Sequence, residues 1–218
     1  MTAGAARYFH LSNTLTYLSL LAAFAAMLSA KRLDRLSVAG ALIAFCALAD
    51  LLDGKFARLF NRTKDQEQFG AQLDSLADAV AFGLAPVVSF YLLVSFESFT
   101  AQMIWSAAAF LYVLCAITRL AFYNIHHDEC SSFIGLPTTI AGLIWSSFLL
   151  AHPSVDLSIW LLLGCGIAMV SSIPIPRPRT VGMAVVLTWA VILIVLHGAS
   201  IYANLRPAFG QGWTSAPG

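Results

Sequence analysis

Asp50 and Asp53 stand three residues apart, and Asp74 and Asp78 four apart, in stretches otherwise dominated by Ala, Leu, Val and Phe. The first run reads Asp50-Leu-Leu-Asp53-Gly54-Lys-Phe-Ala57-Arg58, the second Gly70-Ala-Gln-Leu-Asp74-Ser-Leu-Ala-Asp78. On a helix, residues three or four apart share a face. Each run therefore predicts one helix with its carboxylates aligned. Ala57 and Arg58 extend the first face, and Gly70 begins the second. The short connection between the runs makes the two helices antiparallel neighbours, so the carboxylates converge. Gly54 and Gly70 leave room where another atom must come close.

Four carboxylates at such quarters repel one another. Divalent cations remove the repulsion: hard oxygen ligands suit Mg2+ or Mn2+, and the charge suffices for two ions. Two such ions can clamp phosphate oxygens during displacement at phosphorus, and Arg58 adds a phosphate contact. Interhelical ion pairing is a weaker use, because Lys55, Arg58 and Arg119 are too few for four acids plus Asp34 and Glu67. A cation or proton relay in a transporter is the alternative from another class, although a relay has no need of Gly54, Ala57 and Arg58. Prenyl-transferring membrane enzymes use aspartate-rich DDxxD-like runs, which Asp50-x-x-Asp53-Gly54 is not.

The elements that must carry these residues are membrane helices. The chain has 218 residues, 59% hydrophobic and 11% charged, with a mean hydropathy of +0.80. That apolar excess exceeds what a soluble core absorbs and must face lipid. A span needs about 20 apolar residues, which marks seven candidates near 11–30, 37–60, 70–96, 101–124, 137–152, 156–173 and 180–200. The expected fold is an all-α polytopic bundle of about seven spans, one domain over 1–202, followed by a flexible Gly- and Pro-rich tail over 203–218. The first apolar stretch reads as a span, not a cleavable leader. With the amino terminus inside, Arg7, Lys55, Arg58, Arg62, Lys64, Arg177 and Arg179 face the cytoplasm, against Lys31, Arg32, Arg35 and Arg206 outside. That count places the acidic site on the cytoplasmic side.

The pattern D-x2-D-G-x2-A-R followed by G-x3-D-x3-D resembles that of the CDP-alcohol phosphotransferases, and all eight marked residues are present. The resemblance implies an integral membrane enzyme that moves a phosphatidyl or similar group from a CDP-linked donor to an alcohol. It implies that Asp50, Asp53, Asp74 and Asp78 bind two metals and that Asp78 is also the general base. It further implies that Gly54, Ala57, Arg58 and Gly70 cradle the cytidine diphosphate, and that the protein is a homodimer. One departure is the spacing between Arg58 and Gly70: Leu59 to Phe69 is 11 residues, where the family pattern has about eight. The extra residues predict a longer polar loop.

Three further stretches are similar to phosphatidylserine synthases within that family: Asp74 to Pro86, Phe133-Ile134-Gly135-Leu136-Pro137-Thr138, and Met169 to Pro176. They imply CDP-diacylglycerol as donor and serine as acceptor, with glycerol phosphate, inositol phosphate or another small alcohol as alternatives. The synthases commonly read R-L-A-R-F-N where this chain has Arg119-Leu-Ala-Phe122-Tyr123-Asn124. Arg119 lies in an apolar run and needs a partner: donor phosphate, the serine carboxylate or a site aspartate. Asn124 and Thr138 are candidate polar contacts for serine. Phosphorylated acceptors ask for an extra anion pocket, and no tight basic cluster supplies one.

Other residue groups carry less. The net charge is +1, with no basic stripe for nucleic acid. Cys46, Cys115, Cys130 and Cys165 fit neither a disulfide framework nor zinc spacing. His126-His127-Asp128-Glu129-Cys130 reads as a solvated loop. No Ser, Cys or His stands beside the acidic runs as an evident nucleophile, which favours direct attack by the acceptor hydroxyl. His152 and His197 are expected as anchors at the outer interface, and Trp105, Trp145, Trp160 and Trp189 as an aromatic belt near span ends or facing lipid.

Overall fold

The computed structural model describes Gly4 and residues 8–33, 36–126, 133–175 and 180–210. The His127–Cys130 stretch, Arg7, Asp34, Arg35, Arg177, Arg179 and residues 211–218 lie outside the described residues.

A 3-10 turn over Leu11–Asn13 leads into α1 (Thr14–Leu33), followed by α2 (Leu36–Ala57). Helix α3 (Lys64–Asp78) runs through a π-helical segment, Ala79–Leu84, into α4 (Ala85–Leu93). Then come α5 (Phe99–His126), α6 (Thr138–Leu150), α7 (Val155–Val170) and α8 (Thr180–Gly210). The described extended structure is one antiparallel pair, β1 (Phe133–Ile134) with β2 (Pro174–Ile175), in the register Phe133↔Ile175 and Ile134↔Pro174. The protein is a predominantly helical integral membrane protein. Among the described residues, five helical stretches are long and apolar enough to cross a membrane, including Lys64–Leu93 as one 30-residue stretch. Helices α6 and α7, with 13 and 16 residues, extend about 20 and 24 Å at 1.5 Å per residue, short of a hydrocarbon layer of about 30 Å.

The polar run expected as a long loop folds differently. Thr63 accepts from the Gln66 backbone at 3.3 Å, and the Gln66 side chain accepts from the Thr63 backbone at 3.0 Å. This reciprocal cap starts α3 at Lys64. Asp65 and Glu67 in its first turn suit the positive end of the helix dipole. The residues between Arg58 and Gly70 therefore lengthen a helix, and only residues 58–63 connect α2 to α3. At the other end, α8 continues past Tyr202 to Gly210, across residues read as flexible tail. Ala203, Leu205 and Arg206 are strong helix formers.

Helix α2 occupies the centre, packed against α1, α6 and α8, while α5 packs on α7. The core is rich in Ala on α2 and in rings on α4, α5 and α6. Phe90 stacks on Trp105 at 5.8 Å and meets Trp145 edge-on at 6.0 Å. Trp105 and Trp145 are thus buried and not lipid-facing. Trp105 donates to Ser158 Oγ at 2.7 Å, which lets an indole N–H enter the interior. Trp160 does face outward, 73% exposed.

His197 is also inside, fully buried, not at an interface. Its Nε2 donates to the Ser146 carbonyl at 3.0 Å, and the Ser146 hydroxyl donates to the Gly40 carbonyl at 2.8 Å. Three helices are joined by this chain of bonds. A methyl group on Gly40 would collide with the imidazole.

The π-helical segment has a local cause. Pro86 has no N–H to return to the carbonyl of Phe82, four residues earlier. The Tyr112 hydroxyl of α5 donates to that carbonyl at 2.7 Å instead. Phe82 and Tyr112 are both fully buried. The widened turn begins directly after Asp78, and such turns recur at functional sites.

Gly40→Ala is expected to lower stability by about 1–3 kcal/mol through overpacking against His197. Thermal unfolding in detergent reads this, and His197→Ala in the same chain should recover part of the loss.

Candidate active site

Helices α2 and α3 bring Asp50, Asp74 and Asp78 together, with ligand oxygens all within 4.8 Å of one another. Spacing explains the convergence: Asp74 and Asp78 sit one turn apart on α3, and Asp50 faces them from α2. Asp53 lies outside this triad but close to Asp50 and Asp74. All three of the other aspartates act electrostatically on Asp78.

Hydroxyl groups from two further helices complete the shell. Thr139 Oγ1, in the first turn of α6, donates to Asp50 Oδ2 at 2.7 Å. Thr138 Oγ1 donates to Asp78 Oδ2 at 3.5 Å. Thr16 Oγ1, on α1, donates to Asp53 Oδ2 at 3.3 Å. Thr16 and Thr139 were not singled out from the sequence. They lie 37 and 89 residues from their partners, and hydroxyl residues in apolar helices commonly bond their own backbone instead.

The site's cations are arranged differently. Arg119 is 6% exposed and close enough to act electrostatically on Asp50 and Asp78. No ion pair joins these carboxylates to a cation among the described residues. Arg119 Nε has no hydrogen-bond partner among the described residues. The guanidinium lies 5.6 Å from the Tyr123 ring centre and lines a cleft of about 200 Å³ with Thr118, Phe122, Ile134, Met169, Val170, Ser171 and Ser172. Phe122, at the position of the second family arginine, is a wall of that cleft. Asn124 is turned to α3, where its Oδ1 accepts from Ser75 Oγ at 2.9 Å.

The remaining motif residues surround the turn after α2. Ala57 is buried, while Lys55 and Arg58 are exposed. A methyl group on Gly54 would meet nothing within 4 Å, so this face is open. On Gly70 it would lie 3.1 Å from Asn13 Oδ1 and 3.6 Å from Arg62 Nη1, so that face is lined by polar groups. Cys46, one turn before Asp50, is buried, and its thiol donates to the Ser19 carbonyl at 3.2 Å. The fold thus brings a thiol near the acids, but points it at α1.

Three carboxylates in one shell, with hydroxyl donors and no ion-paired cation among the described residues, match the donor set of a hard divalent ion. The open face at Gly54 adjoins them.

The chain has known relatives. It is 34% identical over 154 residues to the archaetidylserine synthase of Methanothermobacter thermautotrophicus, covering 67% of this chain and 64% of that protein. It is 30% identical over 188 residues to a CDP-diacylglycerol–serine O-phosphatidyltransferase of Mycobacterium bovis, covering 79% of this chain and 63% of the relative. A third relative, the CDP-diacylglycerol–serine O-phosphatidyltransferase of Bacillus subtilis, is 34% identical over 130 residues, which is 59% of this chain and 68% of that one. The match thus spans just under two thirds of the length of the first two relatives. The family model for CDP-alcohol phosphatidyltransferases matches residues 9–173, which include all four aspartates, Arg119 and both site threonines of α6, and the chain belongs to that family.

Proposed function

We propose that the protein transfers the phosphatidyl group of CDP-diacylglycerol to the hydroxyl of L-serine, giving phosphatidylserine and CMP. The observation that carries this reading is the Asp50–Asp74–Asp78 triad with the buried, incompletely bonded Arg119 close enough to act on Asp50 and Asp78. The relatives' names support serine as the acceptor.

In this reading Asp50, Asp53, Asp74 and Asp78 hold two divalent cations, Mg2+ or Mn2+. When bound, these neutralise the diphosphate oxygens and stabilise charge developing at phosphorus. Gly54, Ala57, Arg58 and Gly70 receive the cytidine diphosphate: the bare surface at Gly54 admits it, and Arg58 contacts phosphate. Asp78 takes the proton of the serine hydroxyl. The serine oxygen bonds to the phosphorus that carries diacylglycerol. The bond from that phosphorus to the bridging oxygen breaks, and CMP leaves with the electron pair. Arg119 serves the serine carboxylate, since a planar guanidinium matches a carboxylate. Homodimerisation follows from the family resemblance. The described basic residues Lys55, Arg58, Arg62 and Lys64 gather where α2 passes into α3, which favours a cytoplasmic site under the positive-inside rule.

The deciding assay is CMP release from CDP-diacylglycerol by purified protein with Mg2+ or Mn2+, comparing serine, glycerol phosphate, inositol phosphate and choline. Serine is expected to be preferred, and release only with another acceptor would overturn the assignment. Solute uptake in proteoliposomes without CMP release would point to the transporter reading instead.

Two variants test the roles. Asp78→Asn should reduce turnover by at least about 100-fold, the usual scale for a lost general base, with the protein still folded in detergent. Near-normal activity would remove Asp78 from the mechanism. Arg119→Gln should reduce the preference for serine over serinol, which lacks the carboxylate. An equal loss on both acceptors would assign Arg119 to the donor or the aspartates.

A further inference from the structure

The segment entering α6 is held by unusual backbone geometry. Gly135 has φ +71°, a conformation that L residues rarely adopt. A methyl group there would collide with the Met169 carbonyl oxygen and lie 2.9 Å from the carbonyl carbon. Gly135 N donates to the Ile173 carbonyl at 3.0 Å, and Leu136 N to the Ala168 carbonyl at 2.9 Å. With the β1–β2 pair, these bonds clasp the segment to the end of α7. Pro137 then turns the chain into α6, its carbonyl accepting from Ala141 N at 3.1 Å.

The first two residues of α6 are Thr138 and Thr139, which reach carboxylates on two different helices. Neither bond can form unless the start of α6 is placed correctly along and around its axis. Only Thr139 makes the short contact, 2.7 Å to Asp50. A carboxylate oxygen fixed this way cannot rotate freely. The carboxyl group then presents one geometry to an incoming cation.

We infer that Thr139 is a positioning residue that orients Asp50 for divalent-ion binding, and that the Gly135 clasp sets Thr139. The inference rests on the metal-binding reading of the triad. Partners that orient a metal-ligating side chain are typically worth about 10–100-fold in affinity.

The test is Mn2+ binding to the purified protein in detergent, read as free Mn2+ by electron paramagnetic resonance, without turnover. Thr139→Val keeps the branched shape and removes the hydroxyl, so it should weaken binding about 10-fold or more. Thr139→Ser keeps the hydroxyl and should bind within about 2-fold of the parent. Gly135→Ala should weaken binding, and adding it to Thr139→Val should cost little more, because both act through one bond. Unchanged affinity in Thr139→Val would overturn the inference. So would an equal loss in Thr139→Ser, which would assign the effect to disturbed packing at the start of α6 and not to the hydroxyl. If Gly135→Ala fails to fold, the Thr139 pair still decides. Absence of Mn2+ binding by the parent protein would sink the metal reading itself, a result distinct from either.

Discussion

Three carboxylates within 4.8 Å of one another inside an apolar bundle repel. At an effective dielectric of about 20, each ionised pair at that separation costs about 3.5 kcal/mol. Domains of this size are stable by only about 5–15 kcal/mol in total. The arrangement therefore persists only because other parts of the fold oppose it. Hydroxyls from α1 and α6 bond Asp53, Asp78 and Asp50, and Arg119 adds an opposite charge nearby. Rigid packing behind the site prevents the helices from relaxing apart.

That packing explains features remote from the chemistry. Helix α2 must press close to α6 to meet Thr139, and small residues along α2 allow it: Ala39, Gly40, Ala44 and Ala47 are buried. The Gly40–Ser146–His197 chain of hydrogen bonds locks α2, α6 and α8 at one level. Helix α6, with 13 residues, is shorter than the hydrocarbon layer is thick, and its first turn carries the hydroxyls that meet the carboxylates. Non-helical backbone leading into such a helix needs its polar groups bonded by protein. The bonds from Gly135 and Leu136 to the end of α7 supply them.

The meeting of Asp50 with Asp74 and Asp78, and the helices carrying them, were legible because charge inside an apolar run is costly and helical spacing says which charges meet. The family was legible from a different source, the resemblance of the D-x2-D-G-x2-A-R and G-x3-D-x3-D runs to a known pattern. Trp105, Trp145 and His197 were misplaced because an aromatic or imidazole ring in an apolar helix can face either lipid or core, and periodicity is weak when both surroundings are apolar. The polar run before Gly70 did hold a readable signal: Thr63 and Gln66 have the spacing of a capping box. Polarity by itself predicts a loop, and the reciprocal cap makes the same residues a helix start. Thr16 and Thr139 left no local trace, since their partners come from other helices. Arg119 was visible as an anomaly, but the cleft beside it arises from residues on three separate segments.

Pro86 and Tyr112 depend on each other in a way that constrains how this sequence can drift. The proline removes a backbone donor, and the tyrosine hydroxyl replaces it at the Phe82 carbonyl. Losing the hydroxyl first would strand a buried acceptor in the core. Losing the proline first would return an N–H and relieve the tyrosine of its task. The order of substitution therefore matters: an evolutionary path that changes residue 86 before residue 112 is open, while the reverse path crosses a less stable intermediate. This turn begins directly after Asp78, so any change in its geometry bears on the triad as well. The turn is then inherited with the active site, not as interchangeable core.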